Sequence, residues 1–384
     1  MSFSSRLVLP ALLAAVATGC MSSQPAIVPG TNTSAPPPAT MRTGPIPPPM
    51  GLMAVRPVGP PPAFAPNIDP QMQAVVEQLM SYEQPPFETL TPFQARNTKS
   101  AANAVHDLMM KAGGPPMPPP IDIAHRVLRV GPPEGILVRT YTPIAGTGPK
   151  PVIVYYHGGG WVFADLNTYE GGAMALAERT GAVVVSVAYR LAPEVKFPAQ
   201  HEDSFAAYQW VTENAAAIGG DPARIATAGE SAGGNLALAV ALMARERGVR
   251  LPVHVLSIYP IADGDTASPS YDQYAQAVPL GRAGMAWFFG HTLAAPADAR
   301  DPRISLVRAD LSGMPPVTIV NAQIDPLASD GEELAAALTR AGVDVQRRVF
   351  DAVTHEFFGM GAVLEQAVQA QQFAAERLGT AFGR

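Results

Sequence analysis

The segment "RIATAGESAGGNLALAV" places Ser231 inside a Gly-x-Ser-x-Gly pattern that runs from Gly229 to Gly233. A strand-like apolar run precedes this serine, and a helix-like run follows it. A serine at such a turn projects its hydroxyl above the edge of a sheet, and glycines on both sides remove the Cβ atoms that would clash. The pattern predicts a nucleophile, while a glycine-rich turn or a phosphate-binding loop has a similar composition.

A second stretch, "YYHGGGWVF", contains His157, Gly158, Gly159 and Gly160 directly after another strand-like run. Three consecutive glycines allow backbone N–H groups to turn toward a ligand. In an acyl-transfer site these donors would stabilise an oxyanion together with the N–H of Ala232, the residue after the predicted nucleophile. The alternative interpretation is a tight turn without a ligand.

A serine nucleophile needs a histidine base, and that base needs a carboxylate to orient it. Of the seven histidines, His355 in "FDAVTHEFFG" directly follows the last strand-like run, where the carboxyl edge of a sheet would present it. Asp325 ends the strand-like run "PVTIVNAQID" and is a candidate acid. Asp330 is its rival, and its position also suits a negative charge at the start of a helix.

The elements that would position these residues alternate between strand-like and helix-like runs. A near-continuous Val/Ile run predicts a strand buried on both faces, and its alternation with helices predicts a parallel sheet between two helical layers. An earlier pair of strands and two N-terminal helices, the first capped by Asp69, precede this pattern. Ser329 and Glu332 predict a capping box for a late helix. The predicted strands cover residues 123–130, 135–143, 151–158, 182–190, 224–230, 251–260, 316–325 and 343–351.

Five motifs, "HGGGWVF", "YRLAPE", "GESAGGN", "DPR" and "DPLASDGE", follow one another as in the bacterial branch of the hormone-sensitive lipase family of α/β-hydrolases. The resemblance covers residues 67–384 and implies a mostly parallel, eight-stranded sheet with helices on both faces. It also implies a helical cap, built from residues 67–120 and from an insertion at about 267–310 within a catalytic domain of residues 121–384. Two departures are Glu230, where the family more often has Asp or Thr, and His201.

The resemblance also implies the activity. It favours Asp325 over Asp330, completes a triad with Ser231 and His355, and selects Gly159 and Gly160 as oxyanion donors with Ala232. We therefore expect a serine esterase or lipase that hydrolyses short- to medium-chain acyl esters through an acyl-enzyme, with no metal and no cofactor. An arylformamidase or amidase on the same scaffold is the alternative. A non-catalytic ligand-binding homologue is disfavoured because all three triad residues are present.

The N-terminal residues predict export. Arg6, an apolar run over residues 7–16 and the sequence "ATGC" ending at Cys20 indicate a signal peptide over residues 1–20. The end of this segment resembles a lipobox, so we expect lipidation at Cys20 and a membrane anchor at the bacterial cell envelope, with soluble secretion as the alternative. Residues 21–66 are proline-rich and predict a disordered tether.

Composition limits the partners. The net charge of the 384 residues is −6 and no Lys/Arg-rich run is present, so nucleic acid is not an expected partner. Cys20 is the single cysteine, which excludes a disulfide framework within the chain. The expected partner is a small-molecule ester, and the oligomeric state does not follow from the sequence.

Overall fold

The computed structural model describes residues 52–115 and 117–384, so Cys20 and the predicted signal segment lie outside the described part. The helices are α1 Pro70–Met80, α2 Pro92–Ala95, α3 Ala101–Lys111, α4 Glu170–Thr180, α5 Ala199–Asn214, α6 Ala232–Glu246, α7 Pro269–Gln273, α8 Arg282–Thr292, α9 Ala328–Arg340 and α10 Glu365–Ala381. The strands are β1 Ile121–Leu128, β2 Ile136–Pro143, β3 Lys150–Tyr156, β4 Val183–Ala188, β5 Gly220–Glu230, β6 Val255–Ile258, β7 Val317–Ile324 and β8 Val345–Thr354.

The eight strands form one sheet in the order β1-β2-β4-β3-β5-β6-β7-β8. The pairs β1–β2 and β2–β4 are antiparallel, and all following pairs are parallel. The inner strands are buried on both faces, as their near-continuous Val and Ile runs require. The α/β-hydrolase fold predicted from the sequence is confirmed.

Helix α6 follows the central strand β5 and packs on the sheet as a deeply buried helix. All its residues from Ala232 to Ala244 are buried. Gly233 and Gly234 allow the first turn of the helix to approach the strands closely, since a Cβ on Gly234 would lie 2.8 Å from the carbonyl oxygen of Ile258. The turn between β5 and α6, which contains Ser231, is therefore held by packing on both sides.

The cap combines the N-terminal helices with the insertion before β7. The second of the two N-terminal helices expected from the sequence, at about residues 95–111, is in fact two helices, because Thr91 and Ser100 each cap a separate one, α2 and α3. Helices α7 and α8 lie within the predicted insertion. The ring centroids of Phe87, in the N-terminal part, and Phe288, on α8, are 5.1 Å apart. The two sequence-distant cap segments thus pack against each other.

Residues 52–66 differ from the predicted disordered tether, because they lie against the catalytic domain. The N–H of Met53 donates to the carbonyl of Ala362 at 2.9 Å, and Val55 and Ala65 are buried. The N–H of Val58 donates to the Glu77 carboxylate of α1 at 2.6 Å. Proline removes five backbone donors from this segment, and three of the remaining N–H groups, those of Met53, Val58 and Gly59, donate to the folded domain.

The predicted capping box at the start of α9 is wrong. Helix α9 begins at Ala328, and the hydroxyl of Ser329 accepts from the N–H of Ser270 at 3.2 Å instead of capping the helix. The hydroxyl of Ser270, in the insertion, in turn accepts from the N–H of Ser329 at 3.1 Å, the bond that a capping box assigns to the Glu332 side chain. Separately, no helix within residues 52–115 and 117–384 combines the length and apolarity needed to cross a bilayer.

Candidate active site

The turn from β5 into α6 forces Ser231 into a strained conformation, with φ 59° and ψ −118°. Only glycine fits beside it. A Cβ on Gly229 would lie 2.1 Å from the carbonyl oxygen of Gly233, and a Cβ on Gly233 would lie 2.0 Å from the carbonyl oxygen of Tyr156. The Ser231 N–H donates to the carbonyl of Ile258 at 2.8 Å, which ties the turn to β6. This is the geometry that the glycine pattern predicted.

Three side chains from the carboxyl ends of β5, β7 and β8 form a hydrogen-bonded series. His355 Nδ1 lies 2.7 Å from Asp325 Oδ2, and His355 Nε2 lies 2.9 Å from Ser231 Oγ. An ionised carboxylate can only accept, so Nδ1 carries the proton and Nε2 is left to accept from the serine hydroxyl. The N–H of Leu327 donates to the other oxygen of Asp325 at 2.9 Å and fixes the carboxylate.

Burial and charge act on the base in opposite directions. Burial disfavours the imidazolium, but the negative charges of Asp325, Glu356 and Glu230 outweigh it and raise the pKa of His355 above its usual value. The environment therefore stabilises the protonated imidazole. This is the form that His355 would take after accepting the proton of Ser231.

The glycine loop after β3 turns tightly beside the serine. Gly159 and Gly160 have φ values of 90° and 57°. A Cβ on Gly158 would lie 2.9 Å from the carbonyl oxygen of Glu230, so the loop and the nucleophile turn are in contact. Within the described residues, the N–H groups of Gly159 and Gly160 donate to no backbone or side-chain acceptor. Ala232 is the first residue of α6, where helix N–H groups have no intrahelical partner.

His157 braces the glycine loop and is not a second base. Its ring stacks on Tyr189 with centroids 4.3 Å apart, and its Nδ1 lies 2.8 Å from the carbonyl oxygen of Gly158. The Tyr189 hydroxyl donates to the His157 carbonyl at 2.8 Å. Complete burial lowers the pKa of His157 to about 4, so the imidazole is neutral near pH 7. Its role in the motif is to hold the glycines in place.

Asp330 is not hydrogen-bonded to His355. It lies in the first turn of α9, as predicted, and it has a further role. The side chain is buried, and Oδ2 accepts from the N–H groups of Ala262 and Asp263 at 2.8 and 3.1 Å. Burial raises the pKa of Asp330 well above its usual value. The residue holds the loop that follows β6, a contact between sequence-distant segments that local spacing does not reveal.

Two further buried histidines are structural. His201 Nε2 lies 3.0 Å from Asn235 Oδ1, and His254 Nε2 lies 2.9 Å from Thr318 Oγ1. Burial lowers the pKa of each to about 4. Asn235 of the "GESAGGN" motif also donates to the carbonyl of Ile261, which places it as a support of the loop after β6. Sequence analysis quoted this asparagine within a motif but assigned it no role.

Within the part of the chain that the structure describes, no group of three or more His, Cys, Asp or Glu side chains could hold a metal ion. The assembled features are a strained serine, a histidine–aspartate pair behind it and free N–H donors beside it. These are the parts of an acyl-transfer site.

The family comparison agrees with this geometry. The family described as the alpha/beta hydrolase fold matches residues 153–359, which is more than half of the chain. The chain belongs to this family, within its hormone-sensitive lipase branch.

Individual proteins are similar to this chain over most of its length. The chain is 40% identical over 260 residues to carboxylesterase NlhH of Mycobacterium tuberculosis, covering 67% of this chain and 82% of that protein. It is 35% identical over 249 residues to an ethyl acetate hydrolase of Pseudomonas putida, covering 63% and 77%. The structure of a thermostable esterase from Pseudomonas putida superposes with a TM-score of 0.75 and 29% identity, covering 83% of this chain and 98% of that one.

Proposed function

We propose that this protein is a serine carboxylic ester hydrolase that acts on short- to medium-chain acyl esters through an acyl-enzyme. The observation that carries the proposal is the series Ser231–His355–Asp325, with distances of 2.9 and 2.7 Å, behind a strained serine. The names of its relatives, a carboxylesterase and an ethyl acetate hydrolase, support the same reaction class.

The reaction follows from the positions of these groups. His355 accepts the proton of Ser231 as the serine oxygen attacks the ester carbonyl, and Asp325 stabilises the resulting imidazolium. The N–H groups of Gly159, Gly160 and Ala232 bind the oxyanion. His355 then protonates the departing alcohol, and water releases the acid from the acyl-enzyme by the same route.

The preference for shorter acyl chains is supported by aromatic rings that the cap places on the glycine loop. Phe288 lies so close to Gly160 that a Cβ on this glycine would be 2.1 Å from its ring. The ring centroids of Phe163 and Phe288 are 5.0 Å apart, and those of Phe87 and Trp287 are 5.5 Å apart. A long acyl chain on this side would have to displace several packed rings, which dispersion contacts oppose.

A cavity of about 1390 Å³ lies next to these rings, between the cap and α4, and Phe87 and Phe163 form part of its lining. It reaches Glu230 and Glu356, the sequence neighbours of the nucleophile and the base. This volume exceeds that of many ligand pockets, which suits a bulky alcohol group on the ester.

The test is hydrolysis of nitrophenyl esters from acetate to palmitate by residues 52–384, with Ser231→Ala as the control. We expect activity that is highest for short or medium acyl chains and is lost in the control. Nitroanilides of the same acids distinguish the amidase alternative. Activity that survives in Ser231→Ala, or turnover of anilides alone, would contradict the proposed ester hydrolase.

We further propose that the protein is exported and lipid-anchored at a bacterial cell envelope. The support is the sequence alone, with Arg6, the apolar run over residues 7–16 and the lipobox-like end at Cys20. Anchoring through lipid at the N-terminus would hold the catalytic domain at a membrane surface.

The anchor is tested by expressing the full chain in a bacterium fed labelled palmitate, beside Cys20→Ser. We expect label and membrane association that the variant loses. An unlabelled, soluble and shortened wild-type protein would instead support the secreted alternative.

A further inference from the structure

Glu230, the residue before the nucleophile, is a buried carboxyl that the proposed reaction does not use. Its exposed fraction is 1%. The hydroxyl of Tyr155 on β3 donates to Oε1, and the hydroxyl of Tyr259, after β6, donates to Oε2. A buried carboxyl is costly unless both oxygens are paired, and here both are. Glu230 is therefore held in one position by two separate elements of the sheet.

Tyr259 connects this carboxyl to the base. Its ring stands against the imidazole of His355, with centroids 4.7 Å apart and planes inclined at 55°. The backbone of Tyr259 has a positive φ of 34°, and its N–H donates to the carbonyl of Val320 on β7. The hydroxyl bond to Glu230 thus fixes the far end of a ring whose face limits where the imidazole can lie.

The other groups around Glu230 come from α4 and from the loop after β8. Gly172 of α4 lies directly over the carboxyl, since a Cβ there would be 2.1 Å from Oε1. Tyr169 precedes α4 and donates to Glu356 Oε1 at 2.9 Å. The negative charge of Glu356 acts on both Glu230 and His355. The charges that face Glu230 are therefore one carboxylate and the base itself.

We propose that Glu230 is a positioning residue for His355, which holds the Tyr259 ring against the imidazole and, when ionised, stabilises the imidazolium formed during acyl transfer. This inference rests on the proposed function. Its physical basis is that a buried negative charge near a developing positive charge is weakly screened.

The pKa of Glu230 lies near neutral pH, so its charge changes within the pH range of an activity assay. Burial raises its pKa to about 7, against the lowering effect of the two tyrosine hydroxyls. The carboxylate form increases as pH rises through this value. The stabilisation of the imidazolium is therefore present above it and is lost as pH falls below it.

The first experiment compares Glu230→Gln, which keeps size and removes charge, with Glu230→Asp, which keeps charge. The pH profiles of kcat and KM on nitrophenyl acetate are measured from about pH 5 to about pH 10. We expect Glu230→Gln to lower kcat about three- to tenfold with little change in KM. The low-pH limb of the kcat profile should shift to lower pH by about 0.5–1 unit. Glu230→Asp should keep the limb near its wild-type position.

A second readout needs no turnover, so it separates this inference from the proposed function. The downfield N–H proton of His355, assigned by its absence in His355→Gln, is followed by NMR as a function of pH. Glu230→Gln should lower the pKa of His355. An unchanged pKa and an unmoved limb, with only a lower melting temperature, would overturn the inference and leave Glu230 a structural residue.

Tyr155→Phe keeps the inference testable if Glu230→Gln does not fold. This change removes one donor from Glu230 and leaves Tyr259 and His355 untouched. Loss of a hydrogen bond to the carboxylate should raise the pH at which Glu230 ionises, and the inflection it produces in the His355 signal should move up with it. An inflection that does not move, or is absent in the wild type, would contradict the proposal.

Discussion

Replacing Asp325 by asparagine tests how the site assigns the proton of His355. The two side chains have nearly the same size, so packing is preserved. The N–H of Leu327 donates to Asp325 Oδ1 at 2.9 Å and requires an acceptor there. The amide oxygen of Asp325→Asn will therefore face Leu327, and its NH2 group will face His355 Nδ1, 2.7 Å away in the native protein. That donor forces the imidazole proton onto Nε2.

An Nε2–H group cannot accept the proton of Ser231, which lies 2.9 Å away. The variant also loses the charge that stabilises the imidazolium. We expect kcat/KM to fall roughly 1,000- to 10,000-fold, which corresponds to about 4 to 5.5 kcal/mol of transition-state stabilisation. The folded structure should persist, because the change leaves no cavity.

The assay is hydrolysis of nitrophenyl acetate at about pH 8, with the melting temperature measured in parallel. Asp330→Asn is the matched control, since it changes another buried aspartate five residues away, whose carboxylate accepts from the N–H groups of Ala262 and Asp263. It should keep activity within about tenfold. If Asp325→Asn kept most of its activity while Asp330→Asn lost it, the assignment of the acid would be wrong.

Three further outcomes are expected. The low-pH limb of the kcat/KM profile should have its midpoint above pH 6.5, the ordinary pKa of histidine, because the raised pKa of His355 keeps the imidazole protonated to higher pH. A midpoint below pH 6.5 would contradict this. Gly160→Ala, whose Cβ would meet Phe288 at 2.1 Å, should lower kcat about 100-fold, and unaltered kinetics would exclude this glycine from the site. Arg96→Ala removes the hydrogen bonds from Arg96 to Glu194 and to the carbonyls of Val162 and Ala192. It should lower the free energy of unfolding, measured by urea titration, by about 1–2 kcal/mol. No change would show that these bonds do not support the cap.

Local patterns were sufficient for the fold class and for naming Ser231 as the candidate nucleophile. The Val-rich runs identify buried parallel strands because such strands have two apolar faces. Ser231 is singled out by Gly229 and Gly233, since a serine at a tight strand-to-helix turn needs residues without a Cβ on both sides. Both signals come from a few consecutive residues. They could be read before the chain is folded.

Contacts between distant segments were decided only by the tertiary structure. His355 is 124 residues from Ser231 and 30 from Asp325, and spacing alone left Asp330 open as the acid until family resemblance favoured Asp325. The pairing of Glu230 with Tyr259 and the packing of residues 52–66 likewise join separate parts of the chain. Periodicity reports which face of an element is buried, whereas the order of strands in the sheet decides which loops meet at its edge. The sequence by itself therefore determined the fold class and a candidate nucleophile, and the family resemblance suggested its partners. The folded sheet decided that Ser231, His355 and Asp325 lie within hydrogen-bonding distance, because strand order brings the loops that carry them to one edge.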